Sequence, residues 1–131
     1  MTKKTVGIIY ILVAVLSTVF ISGCKSSNVV IAEGITEAEL LQLGQDSLDK
    51  SNYEAAKQYY QAAIDIFGDN PSSRIISQFE IAHMYIKQEK WELAKPLLEN
   101  IVSSYEDSEL GSQLPAEYKK LAEIDLAKIP E

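Results

Sequence analysis

Residues 40–63, LLQLGQDSLDKSNYEAAKQYYQAA, and residues 78–101, QFEIAHMYIKQEKWELAKPLLENI, are one pattern written twice. Gly44, Tyr53, Ala56, Tyr60 and Ala63 of the first stretch correspond to Ala82, Trp91, Ala94, Leu98 and Ile101 of the second, each 38 residues further on. Apolar residues recur at helical intervals in both, with a polar break around Ser51-Asn52 and again at residues 89–90. Each stretch therefore reads as two helices joined by a short turn. Gly44, Ala56, Ala63, Ala82 and Ala94 give the clearance that two helices need where they cross at close range.

Working outward, Thr36 and Glu39 have the spacing of a capping box, which starts a first helix of about 36–50. A second helix runs from Tyr53 to Phe67 and is stopped by Gly68-Asp69-Asn70-Pro71. Two more are expected over 72–88 and 91–105. Pro115 opens a last one, to about 129, where its missing donor costs nothing in the first turn. In that last helix Lys119, Lys120, Glu123 and Asp125 alternate around an apolar stripe of Leu121, Ala122, Ile124 and Leu126, the expected pattern of a solvating cap. Acidic pairs such as Glu106-Asp107 fall in predicted turns, where solvated charge is the default reading.

The doubled pattern resembles the tetratricopeptide repeat family, whose 34-residue unit is a helix, a turn and a helix with small residues at fixed positions. Leu40, Leu43, Gly44, Tyr53, Ala56, Tyr60 and Ala63 match in the first unit, and Ile81, Ala82, Tyr85, Trp91, Ala94 and Leu98 in the second. Ser47, Ile101, Pro96 and the four-residue insertion Pro71 to Arg74 depart from the pattern. The resemblance implies an all-α, right-handed α-α superhelix, with repeats at about 37–70 and 75–108 and a capping helix at about 115–129. It also implies a concave binding groove lined by Leu41, Gln45, Leu48, Phe79, His83 and Ile86. Members that clamp a C-terminal carboxylate carry polar residues where Leu41 and Phe79 stand, so a helix or extended peptide laid on the apolar side chains fits this groove better. The alternative is that the N-terminal lead-in or the last helix already covers the groove.

At the other end, Lys3 and Lys4 precede an apolar run from Val6 to Phe20, and Ile21, Ser22 and Gly23 stand before Cys24, the one cysteine of the chain. This segment resembles the type II signal peptide of bacterial lipoproteins. The resemblance implies cleavage between Gly23 and Cys24 and a diacylglyceryl and fatty acyl anchor on the Cys24 sulfur. Residues 1–23 would then be the leader, 24–35 a lipidated cysteine and short tether, and 36–131 the helical domain. Two other readings are a permanent transmembrane helix at the short limit of a bilayer span and an ordinary cleaved signal. All three export residues 25 onward. Lys25, where an aspartate commonly retains such proteins at the inner membrane, favours the periplasmic face of an outer membrane.

The chain carries 12 basic and 19 acidic residues, and loss of Lys3 and Lys4 with the leader leaves 10 against 19, a formal charge of −9. That balance argues against a nucleic-acid partner and against electrostatic docking on anionic lipid. His83 is the one histidine and has no cysteine or second histidine within helical reach, so no metal site and no cofactor beyond the lipid is expected. With no nucleophile motif and no phosphate-binding glycine loop, the chain is not expected to be an enzyme. The expected role is a membrane-anchored adaptor or assembly factor that holds another envelope protein or peptide. The alternatives are a transporter-associated ligand-binding accessory lipoprotein and a structural homo-oligomer, down to a homodimer through an open end of the array.

Overall fold

The computed structural model describes residues 28–131, so the expected leader and Cys24 lie outside the described residues. Among those residues the fold is all-α and has six helices. They are α1 (Glu37–Asp49), α2 (Tyr53–Phe67), α3 (Pro71–Lys87), α4 (Trp91–Ser104), α5 (Ser108–Gly111) and α6 (Ala116–Leu126). The four long helices fall within a residue or so of their expected bounds. Each of α1 to α4 packs on its neighbour in the chain, α1 also touches α3, and α6 lies against α4 and α3.

Local chemistry sets the helix ends. Thr36 Oγ1 accepts from the Glu39 N–H while the Glu39 carboxylate accepts from the Thr36 N–H, a complete capping box. Asn52 caps α2 and Asn70 caps α3, whose first residue is Pro71, so the inserted residues Pro71 to Arg74 become its first turn. Arg74 closes this corner by donating to the Gly68 carbonyl. Pro96 lies inside α4 on its exposed face, where water can take up the carbonyl that proline leaves without a donor. Pro115 is the residue before α6 rather than its first turn, with an extended backbone at φ −62° and ψ 117°.

The two hairpins turn in the same way. Ser51 and Glu89, 38 residues apart, both have left-handed φ, 56° and 55°. In each turn the left-handed residue donates to the carbonyl three before it, Leu48 or Ile86. The next residue donates to the carbonyl five before it, Ser47 or Tyr85. The sequence repeat is thus also a repeat of backbone conformation.

The core runs through both hairpins: Leu40, Ala56, Ala63, Ala82, Ala94, Leu98 and Ile101 are fully buried, as is Tyr60 at 1 % exposure. Gly44 is required where α1 meets α2, because a Cβ there would lie 2.4 Å from the Tyr60 ring. Before α1 the chain has no regular secondary structure over Asn28 to Ala32 and turns at Gly34, whose φ is +77°. The Val29 N–H donates to Gln58 Oε1 on α2 at 2.9 Å, so this lead-in lies on the helical domain.

Gly44→Val should destabilise the domain by about 2 kcal/mol, since overpacking against Tyr60 outweighs the helix propensity gained over glycine. Adding Tyr60→Leu should recover part of that loss, because the two side chains share one space. Urea unfolding of the single and double variants measures both effects.

Candidate functional site

Five of the six expected groove residues do not form an open apolar trough. Leu48, Phe79 and Ile86 are buried at 7 %, 6 % and 6 % exposure, and Leu41 and Gln45 are half-buried on α1. Helix α6 covers Phe79: the Tyr118 ring meets it edge-on at 5.4 Å, and the His83 ring stacks on Phe79 at 5.6 Å. The apolar groove residues are therefore mostly core, and the surface left beside α6 is narrower and more polar. Leu41, Gln45, Ile76, Glu80 and the outer edge of His83 remain accessible there. Gln45 Nε2 is bonded to Asp49 Oδ1 at 2.9 Å.

The last helix turns its stripe inward differently from the sequence reading. Ala122 and Asp125 are buried, while Leu121 and Ile124 are exposed at 39 % and 45 %. Tyr118, Ala122, Leu126 and Ile129 form the packed side. Asp125, expected on the polar outer side, is 2 % exposed because it is the group that docks α6 on α3. One of its oxygens is 2.6 Å from His83 Nδ1 and the other 2.6 Å from Lys128 Nζ. A buried carboxylate is tolerated only with such direct bonds.

Glu80, one turn before His83 on α3, is the counterpart without a bonded partner among the described residues. Burial pushes its carboxyl up from the ordinary value of 4.5, with Asp125 adding to the rise and His83 and Lys87 opposing it. Burial also pushes up the Tyr60 and Tyr118 phenols, and the Glu80 charge adds to both. The Tyr60 hydroxyl and Ser77 Oγ are buried without a hydrogen-bond partner among the described residues. Ser73, one turn before Ser77, is satisfied by donating to Glu37 of α1 at 2.9 Å. A polar seam thus runs between α1 and α3 and ends at the His83–Asp125 pair. Among the described residues, no group of three or more His, Cys, Asp or Glu side chains is placed to hold a metal ion.

The seam was not legible in the sequence, where Ser73, Ser77 and Glu80 fell between the positions that the repeat singles out. Their i, i+4, i+7 spacing on one helix is the signal that could have found them. Glu106 and Asp107 do sit at a turn, and Asp107 there caps α5, a helix that the sequence reading did not anticipate. Cys24 and Gly23, the expected lipidation and cleavage residues, lie outside the described residues. Among the described residues no helix is long and apolar enough to cross a membrane.

No protein-family profile matches the chain, and no solved structure is similar to it. The chain is similar to an uncharacterized protein of Treponema pallidum (strain Nichols), 36% identical over 118 residues that make up 88% of this chain and 47% of the relative. The chain spans about half the length of that relative.

Two substitutions test the seam. A carboxyl whose pKa is raised by folding stabilises the fold fully below its unfolded value, and that contribution is lost as pH rises through the folded value. Glu80→Gln should therefore unfold at a higher temperature than the native chain at pH 7 and lose this advantage toward pH 4, as read by thermal melts across pH. Asp125→Asn removes the carboxylate that His83 and Lys128 share and should cost about 1 to 3 kcal/mol, less than for a fully dry pair because both partners reach solvent. Hydrogen exchange should place the loosening in α6 rather than in α1 or α2.

Proposed function

We propose that the chain is a lipoprotein anchored through acylated Cys24, whose domain is a tetratricopeptide-type right-handed superhelix. It serves as a non-catalytic protein–protein interaction adaptor or assembly factor in the bacterial cell envelope, on the periplasmic face of the outer membrane. The observation that supports the superhelix most directly is the pair of hairpins related by 38 residues in sequence and in turn geometry. Stacked hairpins of this kind bury one continuous core and leave a side of the stack free for a partner.

The free side here is the strip along α1 and α3 with Leu41, Gln45, Ile76, Glu80 and His83. Its two apolar side chains, one amide and one half-buried carboxylate suit a helix or extended peptide of another envelope protein better than a small apolar molecule. A second reading, self-association, is favoured by one observation: Leu121 and Ile124 are exposed side by side on the outer surface of α6.

A photo-crosslinking residue at Gln45, in living cells, should give a discrete adduct with a second protein, and one at Glu54 on the outer surface of α2 should not. An adduct of the protein with itself that is lost in Leu121→Glu would replace the adaptor reading with the oligomeric one. Metabolic labelling with palmitate should mark the native chain and not Cys24→Ser.

A further inference from the structure

Beyond the strip offered to a protein partner, the domain carries a separate apolar edge at its N-terminal end. Val30 is 89 % exposed, while Val29 and Ile31 on either side of it are half-buried. Past the turn at Gly34, a surface cavity of about 390 Å³ is walled by Ala32, Gly34, Ile35 and Leu43, with Glu39 and Gln42 at its sides. Leu43 itself is 36 % exposed. Neither Val30 nor Leu43 is needed to pack α1 on α2, where Leu40, Gly44 and Leu48 supply the buried face.

The position of this edge in the chain says what covers it. Cys24 precedes Asn28 by four residues, and four residues reach at most about 14 Å even when fully extended. With acyl chains on Cys24 buried in a bilayer, Asn28 and the lead-in after it cannot leave the neighbourhood of the lipid headgroups. Tetratricopeptide-like hairpins could in principle be tethered by either end of the stack, but here the anchored end and the unpartnered apolar edge coincide. We propose that this edge, Val30 together with the Leu43 cavity, rests on the interfacial layer of the same membrane that holds the Cys24 lipid, fixing the orientation of the domain. The proposal rests on the lipid anchoring argued above.

Charge defines the kind of lipid. Glu33 and Glu39 lie beside the cavity, and the Glu39 carboxylate is held in its charged form by the Thr36 hydrogen bonds. The contact is therefore apolar at its centre and acidic at its rim, suited to a zwitterionic surface and shallow rather than inserted into hydrocarbon.

The lone cysteine makes the test specific, because acylation of Cys24 removes its thiol and an introduced cysteine becomes the one labelling site. Full-length lipidated protein with Val30→Cys, Leu43→Cys or Leu121→Cys is labelled with an environment-sensitive fluorophore and reconstituted into phosphatidylcholine vesicles that carry a nitroxide quencher at the headgroup. Leu121 is the matched control, since its exposure of 39 % is close to the 36 % of Leu43 and it lies on α6, away from α1 and α2. The expected result is fluorescence quenched by half or more at 30 and 43 and unchanged at 121. Quenching at 30 alone overturns the proposal, since it reports only the nearness of the tether. Equal quenching at all three sites, or none at 43 while the protein still floats with vesicles, overturns the docked edge and leaves the anchor standing. Loss of flotation together with absence of palmitate overturns both. Where Leu43→Cys fails to fold, Gln42→Cys on the same cavity wall takes its place.

Discussion

The contact between Gly44 and the ring of Tyr60 is the constraint from which the rest of the domain is built. Without a Cβ at residue 44, α1 can lie close enough to α2 for a tyrosine to be enclosed at the crossing, 1 % exposed. The second hairpin solves the same problem with a different pair, Ala82 and Leu98, both fully buried. A methyl on the first helix is matched by a smaller side chain on the second, so the two crossings keep similar volume with different residues. The repeat is thus conserved in space rather than in residue identity, which is how an offset of 38 can persist where few residues are the same.

Enclosing Tyr60 has an electrostatic consequence. Its hydroxyl has no partner among the described residues, and its neighbours on the α1–α3 side include Glu80 and Asp49, both of which disfavour its ionisation. Two carboxylates on this side of the molecule meet opposite fates. Asp125 is buried with a histidine and a lysine and holds α6 in place, whereas burial drives Glu80 toward its neutral form. The first is a structural bond. The second is a polar group held at a cost to the fold beside the accessible strip, the situation in which a partner's hydrogen-bond donor would bind most favourably.

The hairpins were legible in the sequence because periodicity, capping residues and the spacing of small residues all point to the same helices, from Thr36 and Glu39 through Asn70 and Pro71. What was not legible depended on contacts between distant parts of the chain. Ser51 and Glu89 adopt a left-handed conformation without being glycine or asparagine, so residue type gave no warning of the turn geometry. In α6, apolar residues occupy more than one face, and the sequence alone made a stripe of Leu121, Ala122, Ile124 and Leu126. The observed face is selected instead by Tyr118 meeting Phe79 and Asp125 meeting His83, partners about 40 residues away. Tyr118 likewise covers Phe79, and Leu48 and Ile86 are buried with it in the core. A repeat pattern shows which side of each helix lines the concave face, but not whether the next element along the chain already occupies it.

Orientation joins the two proposals. If the Val30–Leu43 edge lies on lipid, the stack leaves the membrane in the order α1, α2, α3 and α4, with α6 the cap at its far side, because each of these helices packs on the next and α6 contacts only the second hairpin among those described with strong packing. The excess of acidic over basic residues keeps the remaining surface from lying down on anionic headgroups. The strip containing Gln45, Glu80 and His83 spans both hairpins, so in this orientation it runs outward from the membrane rather than facing it. A partner emerging from the same membrane could then lie along the strip without being released from its own anchor, and the two would meet at the high effective concentration that a shared surface provides. An adaptor of this size needs no large interface under those conditions, since restricting both molecules to one plane already supplies part of the cost of association.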